Sequence, residues 1–232
     1  MENFSGHYTI PLLGTQWWTG IVISILFIAL PLIWIKNKDA GRVQIAGKIL
    51  GAFLILLSSS IHFYLWYNGH WDLQTSLPLQ LCALSSILSG LIFFFPQNIL
   101  LELLVFWGIP GAVHSIITPE MSHGYSGFLY AEYYLSHAGI ILAAFYALYL
   151  MNKSVRKWSW FRVFLITQVV LIVVALFNYF YQANYMYLCV KPIAENPFII
   201  GEWPWYLIGL EFAGLLHFYL LYFILKKTGK VA

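Results

Sequence analysis

Residues 17–42 read WWTGIVISILFIALPLIWIKNKDAGR, and this stretch decides the fold. No charged residue falls between Trp17 and Ile35. A run of this length suits the hydrocarbon core of a bilayer, which a helix crosses in about 20 apolar residues. Lys36, Lys38 and Arg42 follow at once. An apolar run with a basic flank behind it predicts a span that leaves the membrane on the cytoplasmic side. The leader MENFSGHYTIPLLGTQ has no basic n-region, so the run reads as a lasting span and not as a cleaved signal peptide.

Outward from this stretch, six further apolar runs recur at about 44–67, 77–95, 98–118, 131–151, 160–182 and 204–226. They are long and continuous, not alternating, which predicts helices in place of barrel strands. Charged residues make up 9% of the chain and hydrophobic ones 61%. Soluble domains carry roughly 25% charged residues, so a water-soluble fold is excluded and nucleic acid is not an expected partner. The expected fold is all-α: one transmembrane domain over 1–232 with seven helices, its N-terminus outside and its C-terminus cytoplasmic. With that orientation Lys191 is the one basic residue of 12 left outside. Glu2, Asp72, Glu120, Glu132, Glu195 and Glu202 all fall outside as well.

Polar groups inside a span are expensive and therefore informative. His62, Cys82, His114, His137, Asn178 and Glu211 come from six different spans. Counted at 1.5 Å per residue, they lie within about 6–11 Å of the outer interface. The inner half offers Gln168, Glu102 and His217. On the third span Cys82, Ser85, Ser86 and Ser89 form one polar stripe at helical spacing. Each residue alone has an ordinary reading: an interhelical hydrogen bonder, a serine bonded to its own backbone, an inert buried thiol. Their convergence at one depth is what predicts an outward-facing site.

A thiol and an imidazole in such a pocket point to nucleophilic acyl chemistry, with Cys82 as nucleophile, His137 as its base, and His62, His114, Asn178 and Glu211 in support. The depth suits the ester bond of a phospholipid or another acyl lipid. Sequence spacing leaves rivals open: a lipid or small-molecule binding or transport protein using the same pocket, a metal-dependent membrane hydrolase, and a haem bundle. A disulfide between Cys82 and Cys189 is a further alternative. No spacing of a known metal motif is present, and no cofactor or resident metal is expected.

Four stretches carry a resemblance: LPLQLC (77–82), WGIPGAVHSIITPE (107–120), YYLSHAGIILAAFYALYL (133–150), and NYMYLCVKP (184–192) followed by GEWPWYLIGLE (201–211). Together they resemble the bacterial YwaF-like integral membrane proteins. That family is similar to a mammalian transmembrane acyltransferase of polyunsaturated ether phosphatidylethanolamine. More distantly it resembles the androgen-induced hydrolases of fatty-acid esters of hydroxy fatty acids. The resemblance implies a bacterial plasma-membrane protein acting on phospholipid, with Cys82 and His137 at the positions of the reacting cysteine and histidine.

Overall fold

A computed structural model describes residues 6–193 and 198–232; Glu2 and Glu195 lie outside the described residues. Among the described residues seven helices longer than two turns follow one another: α1 (Thr15–Ile35), α2 (Ala40–Tyr67), α3 (Leu81–Leu91), α4 (Asn98–Ile117), α5 (Gly127–Leu150), α6 (Ser159–Tyr181) and α7 (Trp205–Lys227). Six of them are long and apolar enough to cross a membrane. The chain is an integral membrane protein.

The exception is α3. A span was expected over 77–95, but the helix has 11 residues, a rise of about 16 Å against a hydrocarbon core of about 30 Å. Local chemistry shortens it. Pro78 has no N–H and biases the residue before it away from helix. Gln80 is extended at the N-cap, and Pro96 stands beyond the other end. The irregular backbone ahead of α3 is held by Tyr185, whose hydroxyl donates to the Leu73 carbonyl at 2.9 Å and accepts from the Leu77 N–H at 2.8 Å. The same segment lines a cavity.

Burial identifies the centre of the bundle. In α5, 67% of the apolar window is buried, against 11–22% in α1, α2, α6 and α7, whose outer faces are left for lipid. Ala138, Leu142, Ala143, Ala144 and Ala147 are fully enclosed on all sides of α5. Glycines set the closest approaches. A Cβ on Gly20 of α1 would lie 2.1 Å from the Tyr134 ring of α5. At the crossing of α2 and α3, a Cβ on Gly90 would meet the Gly51 carbonyl at 2.9 Å. Both α4 and α5 contain a π-helical turn, Leu104–Gly108 and Tyr146–Leu150. In α4 it precedes Pro110, which cannot donate the next helical bond.

The two ends of the bundle are tied differently. At the end carrying the basic loops, the fully buried Glu102 carboxylate accepts from Arg156 at 2.8 Å and from Arg162 at 3.1 Å. A buried charge persists only when paired and hydrogen-bonded in this way. At the other end, β1 (Tyr8–Thr9) pairs antiparallel with β2 (Glu120–Met121), and the Trp17 indole donates to the Ile117 carbonyl at 2.7 Å. These contacts hold the N-terminal stretch beside the segment that follows α4.

Candidate functional site

A cavity of about 690 Å³ opens at the β1–β2 end of the bundle. Cys82 from α3, His137 from α5 and His62 from α2 all line it. Cys82 sits in the first turn of α3, where the N–H groups lack helical partners and no side chain caps them. Its sulfur lies 3.7 Å from the Ser115 hydroxyl. Gly111 of α4 leaves the space beside it, since a Cβ there would lie 3.1 Å from Sγ. Cys82 and Cys189 are both free thiols, so no disulfide joins them.

His137 is oriented by its own helix. Its Nδ1 lies 2.7 Å from the Tyr133 carbonyl oxygen, which can only accept, so Nδ1 carries the hydrogen and Nε2 keeps its lone pair. The Tyr133 ring packs against the imidazole at a centroid distance of 4.4 Å. Its hydroxyl donates to the Ser115 carbonyl at 3.0 Å and accepts from the Glu120 N–H at 3.3 Å. Tyr133 thus touches the histidine with its ring and backbone, and with its hydroxyl it fixes the residue beside the cysteine.

The other expected residues divide. His62 joins the cavity, whereas His114, Asn178 and Glu211 are not among its lining residues. His114 pairs with His217, Nε2 to Nε2 at 3.1 Å. Glu211 accepts from the Gln168 amide at 2.8 Å. Asn178 is a clamp. Its amide donates to the Tyr185 carbonyl at 2.9 Å and its oxygen accepts from the Tyr185 N–H at 3.0 Å, which fastens the turn after α6. Counting residues from helix ends gave all six one depth, but the ends do not share a plane. His114, in the last turn of α4, meets His217 from the middle of α7.

Several lining residues carried no such expectation. Glu132 and Ser136 stand one turn apart on α5 and both reach the cavity, although Glu132 was expected outside. The Ser136 hydroxyl meets that of Ser86 at 3.0 Å, joining α5 to the stripe below Cys82. A carboxylate, a serine and a histidine at 132, 136 and 137 on an otherwise apolar helix were the readable signal. His123, in the loop before α5, also lines the cavity, and burial pushes its pKa down to about 4. Loop residues have no depth to count, so nothing marked it. Among the described residues no three His, Cys, Asp or Glu side chains converge as a metal cluster.

The cavity is thus lined by a thiol in the first turn of α3, an imidazole hydrogen-bonded to its own helix, and apolar walls. No curated protein and no solved structure matches the chain. The model of the TMEM164 family matches residues 12–222, which is nearly the whole chain. The chain therefore belongs to the TMEM164 family.

Proposed function

We propose that this protein moves an acyl chain between membrane lipids through a thioester on Cys82, with His137 as general base. One observation carries the reading. Cys82 and His137 open onto the same cavity, and the bond from Nδ1 to Tyr133 leaves Nε2 as the nitrogen that can take a proton. Membership of the TMEM164 family supports a lipid acyltransferase. The resemblance of LPLQLC and YYLSHAGI to the reacting segments of such enzymes supports these two residues.

The steps follow from this chemistry. His137 Nε2 takes the thiol proton, and the thiolate attacks the ester carbonyl of a donor lipid. The ester C–O bond breaks, and the imidazolium returns its proton to the departing lysolipid oxygen. A second lipid hydroxyl, deprotonated by Nε2, then attacks the thioester. The C–S bond breaks and the thiol is restored. The unpartnered amides in the first turn of α3 are suited to bind the developing oxyanion. His62 in the same cavity is the supporting group of this reading. The protein is, on this reading, a YwaF-like bacterial plasma-membrane enzyme of one domain and seven spans. Its N-terminus lies outside, and α3 is the third and shortest crossing.

The test uses purified protein in vesicles with a labelled phospholipid donor and a lysolipid acceptor. Cys82→Ala should abolish transfer, Cys82→Ser should be nearly as severe, and Cys189→Ala should be silent. An acyl adduct on Cys82, trapped and weighed by mass spectrometry, is the positive result. Normal turnover by Cys82→Ala would overturn the thioester mechanism.

A further inference from the structure

A second hollow lies at the opposite end of the bundle, away from the Cys82 cavity. Leu32, Ile33 and Lys36 of α1 and Phe145, Tyr149 and Leu150 of α5 line an open groove of about 410 Å³. Its origin is local. The π-helical turn over Tyr146–Leu150 widens α5 at its end, and Met151 and Lys153 close that turn through the carbonyls of Tyr146 and Ala147, each at 3.0 Å. The groove walls are apolar except for Lys36.

Basic residues gather at this groove. Lys36 caps α1 and lines it, while the Lys230 ammonium, which donates to the Asn152 side-chain oxygen at 2.9 Å, stands 5.2 Å from the centroid of the Tyr149 ring that forms one wall. No acidic residue lines the groove. The nearby acids are engaged elsewhere, Asp39 with Arg42 and Glu102 with Arg156 and Arg162. Among the described residues neither Lys36 nor Lys230 takes part in an ion pair. Exposed Trp34 and Tyr149 stand at the same level, as aromatic residues do at a headgroup boundary.

We propose that this groove binds one anionic phospholipid, with an acyl chain along Leu32, Ile33 and Leu150 and the phosphate between Lys36 and Lys230. The apolar walls accept hydrocarbon, and long lysine stems reach the headgroup level while their charges stay wet. Each lysine near the surface strengthens binding of an anionic headgroup roughly fivefold. The site is separate from the reaction at Cys82 and does not depend on it.

Native mass spectrometry of the purified protein in detergent tests this, with phosphatidylglycerol and phosphatidylcholine of identical chains as probes. The wild type should retain one phosphatidylglycerol at least tenfold more tightly than phosphatidylcholine. The double substitution Lys36→Gln with Lys230→Gln should weaken phosphatidylglycerol roughly 25-fold and leave phosphatidylcholine unchanged. Ile33→Trp, which fills the groove without touching charge, should weaken both, and Cys82→Ala should weaken neither. Equal retention of the two lipids by the wild type would overturn the proposal, as would a double variant that keeps its preference. So would protein dimers in place of lipid adducts.

Discussion

The imidazole of His137 donates from Nδ1 to the carbonyl oxygen of Tyr133, one helical turn earlier on α5, at 2.7 Å. The partner is a backbone atom, so no side-chain substitution at Tyr133 removes it. The helix itself fixes which nitrogen is free, and α5 is the most buried helix of the bundle. An imidazole held this way lines the cavity in one tautomer.

His137→Gln should therefore remove the proton acceptor while keeping a polar side chain of similar reach. The expected result is a fall in acyl transfer of roughly 10²–10⁴-fold, with membrane insertion and thermal stability close to wild type. Transfer of a labelled chain in vesicles measures the first, and unfolding in detergent measures the second. A variant with near-normal transfer would remove His137 from the reaction.

Tyr133→Phe should separate the two roles of that residue. The ring stays against the imidazole, but the Ser115 carbonyl and Glu120 N–H lose their hydrogen bonds to the Tyr133 hydroxyl. A hydrogen bond of this kind contributes about 0.5–1.5 kcal/mol of stability. Transfer should fall by a smaller factor than in His137→Gln, because the free nitrogen is still present. Comparing unfolding midpoints and transfer rates of the two variants decides this, and equal loss of activity in both would contradict it.

Much of this architecture is legible in the sequence, because long uncharged runs and their basic flanks encode spans directly. The six long helices follow from that pattern. The shortness of α3 does not, since it depends partly on Tyr185, 108 positions beyond Leu77, holding the preceding segment open. For the site, counting residues along helices named Cys82, His137 and His62, and all three line one cavity. The same counting misjudged His114 and Glu211, whose contacts run to His217 and Gln168, two residues assigned to the inner half. Tilt and axial offset between helices leave no mark in a single sequence. Asn178 failed for another reason. A buried amide serves a backbone turn as readily as a substrate, and residue type does not distinguish the two.

Gly90→Ala should expose how tightly α3 is seated on α2. The new methyl would meet Ile55 Cγ1 at 2.5 Å and the Gly51 carbonyl at 2.9 Å. A side-chain tip can move aside, but a backbone carbonyl in a helix cannot do so cheaply. Overpacking of this kind costs typically about 1–3 kcal/mol. The variant should unfold at a lower temperature, and adding Ile55→Ala should restore only part of the loss. Full rescue by Ile55→Ala would mean that the helix backbones are not in close contact.

His123 gives the clearest dependence on pH. It lies outside the spans, and burial holds its pKa at about 4 against an ordinary 6.5, with Asp72 opposing that shift and His62 and His7 adding to it. In the unfolded chain the imidazole takes a proton as pH falls below 6.5, while in the folded protein it stays neutral until about 4. Between those values the unfolded state binds more protons, so stability rises with pH across that window and is lost as the medium is acidified. The full difference corresponds to at most about 3 kcal/mol. His123→Asn keeps a polar side chain but cannot titrate, so its unfolding midpoint should change less than that of the wild type between pH 6.5 and 4. Parallel curves for the two proteins would show that His123 is not held neutral by its surroundings.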